Sequence, residues 1–307
     1  MKYIDSLDLS HHHNREKMPE RHQSSVICIK PIGGLCNRLR AIDSAIAVAK
    51  ENHSSVHVIW PMNDLLNCRF EDLFELPASI DKIGQPNTSG WLNKAIEKFY
   101  RTKIGGVFQD LYLRYIVRSF DVVLTYDRME GYKNCDYQGC DFAAMTANKR
   151  AYITTFHAFY DAARPFADFV PVRQLQNIID DYTKGFENVI GVHIRRTDNR
   201  QSLAASPTTE FVELMQTEVR QDSNVRFFVA TDSPSEEEYL NQTFPGRIIT
   251  YPKKSLARHD PEAIKDAVID LYCLSKCRKL IGSYYSSFTD TAHQINGIEY
   301  TIVNDRS

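Results

Sequence analysis

No apolar stretch in this sequence approaches the roughly 20 residues a helix needs to cross a bilayer. The opening Met1-Lys-Tyr-Ile-Asp-Ser-Leu-Asp8 also lacks the apolar core of a signal peptide. A cytoplasmic chain with no transmembrane segment is therefore expected. An excess of one charge sign is missing too: the formal net charge is −2, so no bulk positive field recruits nucleic acid or an anionic membrane, and any anion binding must be local. The seven cysteines, Cys28, Cys36, Cys68, Cys135, Cys140, Cys273 and Cys277, are odd in number, scattered and mostly set in apolar patterns. That suits buried reduced thiols better than a disulfide framework. Neither Cys135 with Cys140 nor Cys273 with Cys277 has a second pair at zinc-site spacing, so no metal site is expected. The glycines at 33 and 34 are followed by no Gly-Lys-Ser/Thr and do not fit Gly-x-Gly-x-x-Gly. Nucleoside triphosphate hydrolysis and hydride chemistry both lose support. No repeat at solenoid period is evident.

What is present is a chain of 307 residues, 43% hydrophobic and 25% charged, long enough for two ordinary globular domains. Residues 1–24, which include His11-His-His13, are too polar to offset their ordering entropy and read as a disordered leader. Residues 26–29 form a short strand pattern that runs into Lys30-Pro-Ile-Gly-Gly-Leu-Cys-Asn-Arg38, after which Leu39, Ile42, Ile46 and Ala49 recur at helical spacing. A second strand at 56–60 precedes a mixed helical pattern over 63–74, and two successive β-α units argue for a parallel, doubly wound sheet. Residues 76–150 carry turn signals and aromatic pieces whose order is not readable. Residues 152–156 are expected to close the first sheet, and a helix is expected through Leu175, Ile178, Ile179 and Tyr182. In the second half, strands at 189–194, 226–230, 247–250 and 279–282 alternate with helical patterns starting near Thr208, Ser235, Ile264 and Ser287. The expectation is an α/β protein of two Rossmann-like doubly wound domains, 25–170 and 171–307, with a ligand cleft between them.

The residues that carry chemistry lie where the second-half strands end. Val189-Ile-Gly-Val-His-Ile-Arg-Arg-Thr-Asp198 is a β-branched run that stops at two arginines and an aspartate, and open α/β sheets bind ligands at the carboxyl ends of their strands. Arginine offers phosphate a planar fork of donors, and Asp198 is close enough to hold one guanidinium. A pair of arginines after a strand equally suits a solvated turn. Asp232 and Ser233 open the next helix, where simple N-capping competes with a ligand role. Asp270 sits among apolar residues on a helix and needs a partner if buried, whereas Asp266 reads as an ordinary exposed carboxylate. Gly282-Ser-Tyr-Tyr-Ser-Ser287 is a small-polar loop at a helix start, a phosphate cradle if its N–H groups are free and a set of capping serines otherwise. The arginines, the serine cradle and the glycine loop together point to a nucleoside diphosphate.

In order and approximate spacing, Gly191-Val-His-Ile-Arg-Arg-Thr-Asp198, Phe228-Val-Ala-Thr-Asp-Ser-Pro-Ser235, Val268-Ile-Asp-Leu-Tyr-Cys-Leu-Ser275 and Ser283-Tyr-Tyr-Ser-Ser287 resemble the catalytic domain of α-1,6-fucosyltransferases and nodulation fucosyltransferases. Gly33-Gly-Leu-Cys-Asn-Arg-Leu-Arg40 is similar to the matching loop in the wider group that includes protein O-fucosyltransferases. The resemblance covers roughly residues 189–300 well and 26–74 loosely. It implies a GT-B architecture and inverting, metal-independent transfer of L-fucose from a GDP-fucose donor to a glycan or glycoconjugate hydroxyl, with no cofactor. The candidate donor-site residues are Gly33, Gly34, Asn37, Arg38, His193, Arg195, Arg196, Asp232, Asp270, Ser286 and Ser287, and the candidate catalytic residues are Arg195 and Asp198; of these the resemblance assigns roles to four. Arg195 would grip the diphosphate, Ser286 would donate to it, and the His193 backbone with the Asp270 carboxylate would read guanine.

One departure concerns the acceptor. Where α-1,6-fucosyltransferases carry a lysine after Arg-Arg-Thr-Asp and a glutamate a few residues on, this chain has Asn199 and, approximately, Leu203. The activating base is left unassigned, with Asp198, Asp43 and Asp64 as the carboxylates to test. The competing readings are a same-fold transferase using another GDP- or UDP-sugar, and a nucleotide- or carbohydrate-binding protein without catalysis.

Overall fold

The computed structural model describes residues 25–86, 119–133, 137, 139–197 and 200–304. The leader reading and Asp198, Asn199 and Cys135 fall outside these. The chain divides into two compact units, Met1–Glu71 with Leu76–Phe169, and Asp72–Glu75 with Val170–Ser307.

The first unit is a five-stranded parallel sheet of β1 (Val26–Pro31), β2 (Ser55–Ile59), β3 (Lys82–Gly84), β4 (Val122–Leu124) and β5 (Arg150–Thr155), in the order β3-β2-β1-β5-β4. Helix Leu35–Asn52 follows β1 and buries Leu39, Ile42, Ala45 and Ile46, the face that the sequence spacing marked. It stops at His53, whose left-handed backbone returns its N–H to Ala49 and Lys50.

β5 is the last strand of this sheet in sequence, as expected, and lies between β1 and β4. One expectation needs correction here. Residues 63–74 form no α-helix but a bridge between Asn63 and Leu66 followed by a 3-10 turn, Phe70–Asp72. Leu66, Phe70, Leu73 and Phe74 of that segment are buried, while Leu65 is exposed. Side-chain bonds win locally: Asn63 Oδ1 accepts from the N–H groups of Leu65 and Leu66, Trp60 Nε1 donates to Cys68 O, and Phe70 N donates to Gln85 Oε1. Such contacts compete directly with the helical ladder.

The second unit is again a five-stranded parallel sheet, of β6 (Val189–Ile194), β7 (Arg226–Thr231), β8 (Ile248–Ile249), β9 (Lys279–Ser283) and β10 (Glu299–Val303), ordered β10-β9-β6-β7-β8. β6 is buried along its whole length, as a run that is apolar but for His193 requires of a strand covered on both faces. Helix Pro261–Ser275 is mostly buried too, opened by Asp260, whose side chain accepts from Glu262 N. β8 is shorter than its sequence suggested, and β10 had no expectation attached. Glu299, Tyr300 and Thr301 are exposed on this edge strand, so the buried-strand signature is absent.

Candidate functional site

In the second unit the chain enters the sheet at β6, adds β7 and β8 on one side, then crosses to place β9 and β10 on the other. The strand order therefore reverses between β6 and β9, and connections at such a point leave in opposite directions and open a crevice at the carboxyl edge. The residues that follow β6 begin with Arg195; those that end and follow β9 are Ser283–Ser287. Sequence positions far apart are thus joined at one edge: Arg195 N donates to Ser283 Oγ at 3.0 Å, and Ser283 Oγ donates to His193 O at 3.2 Å.

The two adjacent arginines have different surroundings. Arg195 Nε lies 3.8 Å from Asp232 Oδ2, with its side chain 22% exposed. Arg196 is drawn into the protein. Its Nε donates to Glu236 Oε1 (2.9 Å), its remaining nitrogens to Thr208 Oγ1 (2.9 Å) and Arg195 O (3.0 Å), and the guanidinium lies over Phe211. Arg196 thereby ties the loop after β6 to the starts of helices Thr208–Gln221 and Pro234–Thr243.

Asp232 does not cap the helix that follows it. It accepts from Arg196 N at 2.7 Å and from the hydroxyl and N–H of Thr197. Burial alone would raise its pKa. The Thr197 and Arg196 bonds, with the Arg195 charge, outweigh that and hold it below the ordinary carboxylate value. Ser233, at the N-cap position, makes no cap bond either, pairing instead with Ser235. Asp232 thus fixes the loop that presents Arg195.

His193 is a buried core residue. Its Nδ1 shares a 2.8 Å hydrogen bond with Thr289 Oγ1, its ring stacks on Phe288, and burial followed by the Arg195 charge pushes its pKa down to about 3. The imidazole is therefore uncharged at neutral pH. The same threonine dictates the glycine in β9. A Cβ at Gly282 would stand 2.1 Å from Thr289 Cγ2, and the His193 bond prevents Thr289 from turning away. Gly282→Ala is expected to cost at least the roughly 1–3 kcal/mol of an overpacked core, read as a lower chemical-denaturation midpoint; unchanged stability would show that Thr289 is free to move.

Ser286 is buried at the N-cap of helix Ser287–Asn296 and makes no side-chain cap bond, while the half-buried Ser287 begins the helix. Tyr285 has a left-handed φ of 54°, and Tyr284 N donates to the hydroxyl of the fully buried Ser206. The loop is held from beneath while the helix start keeps its donors, the polarity that favours an anion.

Asp270 is buried, and its partner is Lys253, whose Nζ is 3.1 Å from Oδ2. Burial raises the carboxyl to about 6 against the opposing pull of Lys253. Asp266, expected at the surface, is instead 3% exposed and accepts from Lys254 N at 2.9 Å. Helix Pro261–Ser275 lies so deep that the position four residues before Asp270 is covered as well.

The first-unit residues are engaged internally. Gly33 has φ +86°, a conformation suited to glycine, and Asn37 packs where a Cβ would stand. Gly34 opens the helix without a backbone requirement for glycine. Arg38 has no exposed surface; it donates to Gly33 O, Pro61 O and Asn63 Oδ1 and lies over Trp60. Its observed work is to pin the glycine loop. Asp43 is buried and accepts from Phe166 N, its pKa raised to about 6 by burial, and Asp64 is exposed. Where the first sheet reverses, between β1 and β5, His157 Nε2 meets Glu130 Oε1 at 2.5 Å, and Arg40 Nε donates to Phe156 O. Neither this pair nor Lys253 was marked by sequence reading. His157 stands outside any motif, and Lys253 is one of two adjacent lysines whose fates only the fold distinguishes. Among the described residues no cluster of three metal-type side chains occurs.

No protein-family model and no curated protein matches the chain. Solved structures do. NodZ α-1,6-fucosyltransferase soaked with GDP-fucose aligns with a TM-score of 0.55 at 15% identity, covering 89% of this chain and 93% of that one. FUT1 from Arabidopsis thaliana in complex with GDP gives 0.56 at 13% identity over 98% of this chain and 73% of that one. POFUT1 with GDP gives 0.51 at 10% identity, covering 91% and 99%. The chain has the GT-B fold of these fucosyltransferases.

Proposed function

We propose that this chain is an inverting, metal-independent glycosyltransferase that moves L-fucose from GDP-fucose to a glycan hydroxyl. The observation that carries the reading is the junction of Arg195, held by Asp232 and Ser283, with the open helix start at Ser286 and Ser287, at the sheet's point of reversal. As the anomeric bond breaks, negative charge grows on the leaving diphosphate. Donors already aimed there stabilise the transition state more than the ground state. Arg195 and the helix N-terminus supply that charge without a metal. The same fold in proteins solved with GDP-fucose and GDP supports the donor class. The deciding experiment is a thermal-shift and turnover screen with GDP, UDP, GDP-fucose and GDP-mannose; stabilisation by UDP but not GDP would overturn the donor assignment.

Activity is expected to survive excess EDTA, because the charge on the leaving group is met by protein donors. A collapse of turnover restored specifically by manganese or magnesium, the signature of a lost Lewis acid, would remove this part of the proposal.

Guanine recognition falls to Asp270 and the His193 backbone. Guanine presents two neighbouring donors that one carboxylate accepts together. Asp270→Asn sets a donor against a donor, with an expected loss of about 1–3 kcal/mol in GDP binding and much less for UDP or inorganic pyrophosphate. pH should act in the same direction. With its pKa raised to about 6, the carboxyl is a full acceptor at pH 7 and gains a proton as pH falls through 6, so GDP affinity should drop there in the parent and not in the variant. Calorimetric titration across pH checks both; equal losses for all three ligands would make Asp270 a structural acid.

A further inference from the structure

We infer that Lys253 is a specificity-determining residue whose ammonium donates to the 6-oxo group of guanine while Asp270 accepts from the ring and amino N–H groups beside it. This rests on the GDP-sugar reading above and adds a residue that no sequence motif marked.

Beyond the carboxyl ends of β7 and β8 is a cavity of about 640 Å³, within the size range of small-ligand pockets. Thr231, Pro234, Glu237, Pro252, Lys253 and Leu256 are among the residues that line it. Lys253 is thus part of the cavity wall, and its buried Nζ lies behind that wall beside Asp270. Nζ is 3.1 Å from Asp270 Oδ2, an ion pair on one side of the carboxylate. Among the described residues neither Lys253 Nζ nor Asp270 Oδ1 has a hydrogen-bond partner, and both atoms are buried.

An ammonium carries three donors, and buried polar atoms are nearly always satisfied. A lysine serving only as counter-ion would be expected to aim an N–H at its carboxylate. The neighbouring Lys254 shows the usual arrangement, with its N–H on Asp266 and its exposed Nζ on Glu262. Glu237, which lines the cavity with Glu238 and Lys254, already accepts from Thr250 Oγ1. Lys253 and Asp270 therefore keep a donor and an acceptor side by side and unspent. Guanine offers the complement on one edge, an acceptor at O6 followed by donors at N1 and N2. Adenine reverses the first two, placing an amino donor against the ammonium.

The test pairs Lys253→Met with 6-thio-GDP, which keeps the N1 and N2 donors and replaces O6 by a weakly accepting sulfur. In calorimetric titrations the parent should bind GDP roughly tenfold tighter than 6-thio-GDP, the worth of one charge-assisted hydrogen bond. In Lys253→Met the two affinities should converge. A tenfold gap that persists in the variant, or no gap in the parent, overturns the role of Lys253. The parent comparison decides even if the variant does not fold. Failure of the parent to bind GDP at all would overturn the donor reading itself.

Discussion

Arg195→Lys should lower turnover roughly 100- to 1000-fold, equivalent to about 2.7–4 kcal/mol of transition-state stabilisation lost with one oriented donor, while the fold stays intact. Lysine keeps the charge but not the planar fork, and cannot hold Asp232 and a phosphate in two directions at once. Because the interaction strengthens as the diphosphate leaves, the loss should fall on kcat more than on KM. The side chain is part-exposed and lysine keeps its charge, so thermal stability should move far less than turnover. Turnover within a few-fold of the parent, with matching stability, would remove Arg195 from the diphosphate site.

How far the sequence disclosed this arrangement depended on what each residue was responding to. β6, the helix after the glycine loop and the β-α alternation of the second half follow from burial periodicity, and the structure has them where that periodicity put them. Residues 63–74 carry the same apolar content but are arranged by the side chain of Asn63, which takes the N–H groups of Leu65 and Leu66, and by Trp60 and Gln85, whose partners lie 8 and 15 residues away. At the site, the strand-end position of Arg195 and the helix start at Ser287 were readable because strand and helix limits were. The partners were not. Asp232 looked like a cap and turned back to the β6 loop. Asp266 looked exposed and is buried, and Lys253 gave no signal because its burial depends on how the segment after β8 lies against helix Pro261–Ser275. Spacing reports which face a residue shares with its neighbours in sequence; it is silent on which distant side chain meets it there.

That distinction is sharpest at Arg196, where the sequence offered two identical side chains in a row for the donor site. Arg196→Met is expected to act on stability rather than on catalysis. The substitution keeps the stem over Phe211 but removes the cation from Glu236, leaving a carboxylate whose side chain is only 16% exposed beside an arginine at 11%. Breaking a buried pair from one side costs about 3–5 kcal/mol, and the residual exposure of both partners argues for the lower end. Thr208 and the Arg195 carbonyl lose their donors in the same step. Chemical denaturation should report the loss, and a Glu236→Gln background should absorb much of it, since the uncompensated charge is then gone and the two substitutions become less than additive. Any fall in turnover should scale with the fraction unfolded. A Arg196→Met protein as stable as its parent but unable to turn over donor would place this arginine on the diphosphate beside Arg195, and the loop after β6 would then present both guanidinium groups to the ligand.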